Sequence, residues 1–294
     1  MALSVPEITP VTTTMSRTNA IIAHLRATAA AAPEYREVLQ LFLAIHGYLD
    51  GREGLTGLTV TAPADRRQER PADGRLLLAP EALQVDRHLF PSFFDGLLAV
   101  LQVAGKEGGE SLTALGAGIS DGCLDPARLF TAILTRDRAP LTESAARCGI
   151  PAALLEFVLE IPLKTALSRY AATLPPEAAQ GWQQGHCPVC GGRAGMAELA
   201  GDEGRRYLSC SCCSFRWPFP RLTCPYCGCA DPEQLSYLTV GDELVRVDTC
   251  RNCCRYIKTR DTRRGGADVP LEAVDLTTIH LELLAVREGF ERGK

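Results

Sequence analysis

Four Cys-x-x-Cys pairs lie in the stretch from His186 to Arg264: Cys187/Cys190, Cys210/Cys213, Cys224/Cys227 and Cys250/Cys253. Two thiolates separated by two residues can turn back onto one metal ion, and two such pairs complete a tetrahedral shell. Eleven of the thirteen cysteines sit in this stretch, leaving only Cys123 and Cys148 elsewhere. The chemistry these residues offer is metal binding by soft sulfur donors.

The spacing repeats. Cys187 to Cys224 and Cys190 to Cys227 are both 37 residues, and Cys210 to Cys250 and Cys213 to Cys253 are both 40. A tandem of one supersecondary unit is the simplest source of such a period. Within each unit the second pair follows the first by 20 residues (Cys190 to Cys210) or 23 (Cys227 to Cys250). That suits a knuckle, a hairpin and a second knuckle closing one site. Cys187, Cys190, Cys210 and Cys213 are therefore assigned to site one, and Cys224, Cys227, Cys250 and Cys253 to site two. An interleaved, cross-braced pairing is the alternative, and the tandem period argues against it. Two metal ions, each bound by four cysteines, are expected, iron or zinc, since both accept this ligand set. Four thiolates leave no open position for an activated water. The ions read as staples for a region of about 80 residues with little core of its own.

Cys212, Cys229 and Cys254 lie beside the ligands. They read as bystanders; the sharper alternative is a reactive thiol favoured by the neighbouring Arg251 and Arg255. Cys212 could also compete for site one by a register shift, and His186 is a minor alternative ligand. Enzyme signatures fail. A zinc deaminase needs H-x-E upstream of P-C-x-x-C, but His280-Leu281-Glu282 lies downstream of every cysteine. No P-loop, G-x-S-x-G or dinucleotide fingerprint is present. His24, His46 and His88 fall in or near helical runs and read as structural.

These ligands must be carried by the rest of a 294-residue chain that is 46% hydrophobic and 22% charged, enough for a core outside the cysteine region. Residues 1 to about 17 read as a loose arm. Helical spacing of apolar residues runs over Tyr35–Leu49, Phe93–Val103 and the residues after Pro126. From Leu141 three helical pieces follow. Thr142 caps the first and Gly149 ends it, Pro151 opens the second, and Pro162 breaks or kinks the run before a third piece ending near Leu174. The outline is that of a helix-turn-helix, but no basic recognition face accompanies it, so a plain helical hairpin is the reading. Residues 61–75 are polar with two prolines and read as a linker. Alternating segments such as Arg206-Tyr207-Leu208 and Glu243-Leu244-Val245-Arg246-Val247 predict strands in the cysteine region. Leu271–Phe290 predicts a final helix whose stripe (Leu276, Ile279, Leu283/Leu284) packs on the helical half.

The net charge of −4 and pI near 5.8 argue against a dedicated nucleic-acid binder. From His186 to Arg264 there are twelve Lys/Arg and nine Asp/Glu. Eight thiolates and two divalent ions bring the local total to about −1. Arginines interleaved with Tyr207, Trp217, Tyr226 and Tyr256 have the composition of a binding surface, which keeps a zinc-ribbon nucleic-acid binder as the alternative. A steep loss of affinity with salt would mark it. Thiol-based redox or sulfur transfer is a third reading, marked by dependence on Cys212, Cys229 or Cys254. No secretory h-region opens the chain and no stretch has about 18 consecutive apolar residues, so a cytoplasmic protein with no membrane span is expected.

Taken together, Trp182, CPVCGG, GRRYLSCSCCSFRW, TCPYC, LSYL and TCRNCCRYIK resemble the formate dehydrogenase accessory protein FdhE family. Glu272-Ala273-Val274, Asp275-Leu276 and Arg287-Glu288-Gly289-Phe290 resemble its final helix. The likeness covers about residues 182–290. It implies a cytoplasmic assembly factor, not an enzyme, that contacts the molybdenum- or tungsten-containing catalytic subunit of formate dehydrogenase during maturation. It also implies rubredoxin-like, iron-binding four-cysteine centres on the same eight cysteines. Cys254 departs from the pattern, because glycine commonly follows the last pair. The fold class expected is α+β: an N-terminal all-helical domain (18–175), two tandem rubredoxin-like or zinc-ribbon four-cysteine modules (182–222 and 223–264) and a C-terminal helix (268–292). Self-association into a homo-oligomer is compatible with all of this.

Overall fold

The computed structural model describes residues 16–61, 76–105, 108–241, 244–265 and 268–293. The arm expected over residues 1–17 and the linker over 61–75 lie almost wholly outside them.

The helical half is built from α1 (Arg17–Ala31), α2 (Arg36–Leu49), α3 (Leu89–Ala104), α4 (Gly109–Ser120), α5 (Pro126–Thr135), α6 (Arg138–Arg147) and α7 (Ala152–Ala171). α1 starts where Ser16 Oγ accepts from the Asn19 N–H at 3.1 Å, the usual way to satisfy an orphan donor. The sequence pattern misses α1 and α4. α1 is an alanine-rich helix with weak amphipathic contrast, and α4 carries three glycines that lower helix propensity. α6 is capped by Asp137, which accepts from the Ala139 N–H, and not by Thr142, which lies inside the helix.

α7 runs unbroken through Pro162, where the sequence predicts a break. An interior proline costs about 3 kcal/mol. α7 is the central helix, however, and Leu155, Val158, Leu159, Leu163 and Leu167 are all fully buried on it. Each such burial contributes about 1.5–3 kcal/mol, so packing outweighs the lost bond. The half is also not purely helical. β1 (Leu58–Val60) and β2 (Leu83–Val85) pair antiparallel, Leu58 opposite Val85. Three-residue strands are too short to show alternation.

The cysteine half contributes β3 (Ala194–Ala200), β4 (Arg205–Cys210), β5 (Arg216–Pro218), β6 (Leu235–Leu238), β7 (Val245–Cys250) and β8 (Arg255–Asp261). The two repeats each form an antiparallel meander, β3-β4-β5 and β6-β7-β8. They join through a parallel pairing of β3 with β8, Met196 opposite Lys258, giving the order β5-β4-β3-β8-β7-β6. A short β9 (Glu291–Arg292) adds to β8. The two modules therefore share one sheet. Their approach requires a glycine: a Cβ on Gly185 would sit 1.8 Å from the Pro225 carbonyl oxygen.

The expected final helix is two helices, α8 (Leu271–Thr277) and α9 (Ile279–Arg287), separated at Thr278. The break lets each pack on a different neighbour. Ala273 of α8 joins Ile21, Leu25 and Leu39 of the helical half. Leu281 and Ala285 of α9 join Val245, Val247 and Tyr256 on the sheet. Leu283, placed in the expected buried stripe, is exposed.

Candidate metal centres

Each centre takes its first pair from a loop before a meander and its second from the turn that follows the meander's second strand. Cys210 closes β4 and Cys250 closes β7. The structure brings together Cys187, Cys190, Cys210 and Cys213, and separately Cys224, Cys227, Cys250 and Cys253, each set of sulfurs within 4.8 Å of one another. In the first set Cys187 Sγ to Cys213 Sγ and Cys190 Sγ to Cys210 Sγ are both 3.5 Å. In the second, Cys224 to Cys253 and Cys227 to Cys250 are both 3.7 Å. A tetrahedral ion with sulfur ligands at about 2.3 Å has ligand–ligand edges of about 3.8 Å. Disulfides would bring sulfurs to about 2.05 Å. Both sets could thus hold a metal ion.

The knuckle geometry explains the residues around the ligands. The residue after the second cysteine of every pair is left-handed: Gly191 (φ 69°), Ser214 (57°), Gly228 (72°) and Cys254 (54°). This turn lets the Gly191 and Gly228 N–H groups donate to the carbonyls of Cys187 and Cys224, both at 3.0 Å. It also aims backbone N–H groups at sulfur, with Val189 N to Cys187 Sγ at 3.4 Å and Cys212 N to Cys210 Sγ at 3.3 Å. Cys254 thus occupies a position where a side chain is strained, by about 1 kcal/mol or more. Cys254→Gly is expected to raise the denaturant midpoint, and Cys254→Val to lower it further than the glycine raises it, with two metals retained in both. Equal midpoints for the two variants would show that the turn carries no strain.

The centres differ in exposure. In the first set all four cysteines are buried; in the second Cys227 is exposed and Cys253 half-buried. In the first set burial raises the thiols of Cys187 and Cys213 well above the ordinary range, while hydrogen bonds from the surrounding cysteines, Cys187 foremost, bring Cys190 well below it. Four thiolates packed out of water require a cation. At Cys227 burial pushes up, but the Asn252 amide, the Cys229 backbone and neighbouring thiols bring it down to about 7. Asn252 Nδ2 lies 3.5 Å from Cys227 Sγ, a contact with no signature in the sequence. With the metal-loaded chain, a chelator is expected to remove the second ion at least about tenfold faster than the first. Indicator-dye release should show two phases, with Cys227→Ser abolishing the fast one. A single phase would contradict the asymmetry.

The remaining candidates fall outside both clusters. His186 stands edge-on to Trp182, ring centroids 5.0 Å apart, and its carbonyl accepts from Trp182 Nε1 at 2.7 Å. Cys212 is half-buried next to site one, Cys229 is half-buried, and Cys254 is exposed. The aromatic–arginine surface expected from composition is corrected by the fold. Trp217 is fully buried, Tyr256 is 2% exposed and Arg206 is 5% exposed, so these three belong to the core. Arg205, Arg221 and Arg251 remain exposed, and two Arg–Tyr stacks lie towards the surface, Arg216 3.4 Å over the Tyr207 ring and Arg246 4.8 Å over that of Tyr237.

The fold and the site define an α+β protein with a helical body and two four-cysteine clusters on one sheet, each able to hold a metal ion. Residues 186–221 match the family model described as FdhE, central domain. The chain is 32% identical over 146 residues to a protein FdhE homolog of Aquifex aeolicus, covering 48% of this chain and 51% of that protein. To the homolog of Pseudomonas putida it is 32% identical over 156 residues, 49% and 48% of the two chains. The matches thus span about half the length of these curated relatives. The fold is that of the FdhE protein from Pseudomonas aeruginosa, known from a crystal structure, with a TM-score of 0.67, 95% of both chains covered and 21% identity. The chain is thus similar to FdhE proteins in sequence over about half its length and shares the fold of one of them over nearly all of it. Among the described residues no helix is long and apolar enough to cross a membrane.

Proposed function

We propose that this chain is a cytoplasmic, non-enzymatic assembly factor for formate dehydrogenase, which binds the molybdenum- or tungsten-containing catalytic subunit while it matures. The observation that carries this reading is the pair of four-sulfur clusters built into one sheet. With all four positions taken by protein, such centres shape a surface and do not activate a substrate. We assign Cys187, Cys190, Cys210 and Cys213 to one ion and Cys224, Cys227, Cys250 and Cys253 to the other, iron or zinc. The helical body (18–175), the two modules (182–222 and 223–264) and the C-terminal segment (268–292) act as one unit.

The test is capture of the purified catalytic subunit on immobilised chain. Wild type is expected to retain it, and replacing either the Cys187/Cys190 or the Cys224/Cys227 pair by serine is expected to reduce retention about tenfold or more. No retention by wild type above bare matrix would overturn the reading. Undiminished retention by both variants would remove the modules as the contact. Absorbance of the same preparation identifies the metal, because oxidised iron–thiolate centres are coloured and d¹⁰ zinc centres are not.

A further inference from the structure

The helical body and the sheet leave a cleft between them of about 1240 Å³, larger than the roughly 300–1,000 Å³ typical of small-molecule pockets. One wall is the helical body, with the apolar side chains of Ile133, Leu134, Phe157 and Ile161. The other is the edge of the first module, with Cys190, Gly192, Arg193 and Ser211. Arg136 and Arg255 also line it.

The charge in this cleft is not balanced. Its carboxylates are engaged within the chain: Glu272 by Arg17, Glu156 by Arg138, Glu160 by Lys164, Asp275 by Arg292, and Glu53 by the Thr18 hydroxyl. Among the described residues no carboxylate lies within ion-pair distance of Arg136 or Arg193. Burial, and then the guanidiniums of Arg255 and Arg136, lower the pKa of Arg193, a sign that like charges crowd there. Arg136 itself ends α5 in the left-handed region at φ 59°, a conformation that costs a non-glycine residue about 1 kcal/mol or more. Crowded cations on a strained turn beside an apolar wall are set for a ligand that brings anionic and apolar groups together.

We propose that this cleft is the docking site for an acidic, apolar-studded extended segment of the partner polypeptide. Its carboxylates sit on Arg136 and Arg193, and its apolar side chains lie along Ile133, Phe157 and Ile161. The identity of the partner rests on the assembly-factor reading; the chemistry of the segment does not.

The experiment is fluorescence anisotropy with the metal-loaded full chain and a labelled peptide alternating Glu and Leu. The same peptide with Lys for Glu is the comparator, and sodium tripolyphosphate is the small-anion probe. The Glu peptide is expected to bind about tenfold or more tightly than the Lys peptide. Arg136→Glu/Arg193→Glu should lose about tenfold or more of that affinity with two metals retained. Arg128→Glu/Arg205→Glu, an equal charge change outside the cleft, should lose less than about twofold. Ala172→Trp, which narrows the cleft from the end of α7 without altering charge, should also weaken binding.

Equal affinity for the two peptides, equal loss in the two charge-reversed variants, or full affinity in Ala172→Trp would each overturn the proposal. So would metal loss in Arg136→Glu/Arg193→Glu with peptide affinity intact, since the arginines would then serve only as counter-charge to site one. Binding of tripolyphosphate without the Glu peptide would assign the cleft to a small anion instead. Catalytic-subunit capture by wild type and by Arg136→Glu/Arg193→Glu separates this proposal from the one it rests on. Equal capture by both defeats the cleft alone; no capture by either defeats the assembly-factor reading while the peptide result still stands.

Discussion

Cys210→Ser is expected to destabilise the helical body together with the first cysteine module. Cys187, Cys190, Cys210 and Cys213 are at most 6% exposed. They belong to one continuous core that also contains Leu155, Leu159 and Leu163 of α7. The connection is also made by backbone. The Leu77 and Leu78 N–H groups donate to the carbonyls of Pro188 and Val189, each at 2.9 Å, tying the first knuckle to the helical half. A structural four-thiolate site contributes apparent binding energies of about 10–16 kcal/mol, whereas whole-domain stabilities are about 5–15 kcal/mol. Serine is a poor ligand for these ions, and a weakened site leaves three buried thiols with no cation to hold their ionised form. Far-ultraviolet dichroism should show the helical signal melting at least about 10 °C lower, at about 2–4 °C per kcal/mol for chains near this size. Cys227→Ser, at the exposed site, should release one metal and leave helical melting within about 3 °C. A Cys210→Ser chain that loses one metal but melts normally would show that the body folds without site one.

Lys258→Met is expected to cost about 3–5 kcal/mol, the usual consequence of removing one partner from a buried ion cluster. The Lys258 side chain is 0% exposed, with Nζ 2.7 Å from Asp275 Oδ1 and 2.8 Å from Glu282 Oε1. It also donates to the Asp275 carbonyl at 2.7 Å. Lys258 lies on β8, Asp275 on α8 and Glu282 on α9, so one ammonium pins both C-terminal helices to the centre of the sheet. Arg292 of β9 pairs with the same two carboxylates, and they hold its guanidinium charged although burial works against it. Methionine keeps much of the volume but leaves two half-buried carboxylates with one cation. Urea unfolding should register the loss, and amide exchange should quicken first in residues 271–292. Adding Glu282→Gln should recover part of the stability, because it removes the surplus negative charge. A shift below about 1 kcal/mol in Lys258→Met would show that apolar packing of Leu281 and Ala285 alone docks these helices.

Much of the candidate site is legible in the chain because a Cys-x-x-Cys knuckle is a local structure. Its turn involves neighbouring residues, so the pairs announce themselves, and the 37- and 40-residue periods sort them into two sets. Helices with strong apolar contrast, such as α2 and α3, are legible for the same reason. Pro162 is not. A proline signals a break by local rules, and only the leucines packed around α7 from distant elements reverse the outcome. Trp217 and Tyr256 mislead in the same way, since aromatic residues between arginines have one composition whether they end up on a surface or beneath it.

The sequence by itself therefore determined the four cysteine knuckles, the two-fold repeat and the order of a helical half before a cysteine half, and it favoured the sequential over the interleaved grouping of knuckles, which the fold then decided. Tertiary structure alone decided that the repeats fuse through β3 and β8, that one centre is sealed and the other open, and that Arg136 and Arg193 meet across a cleft. The division follows the range of the interactions. Ligand pairing within a knuckle is set over a few residues. Exposure of a centre, and the company of an arginine, depend on what packs there from far along the chain, as Leu77 does against Pro188 and Asp275 against Lys258.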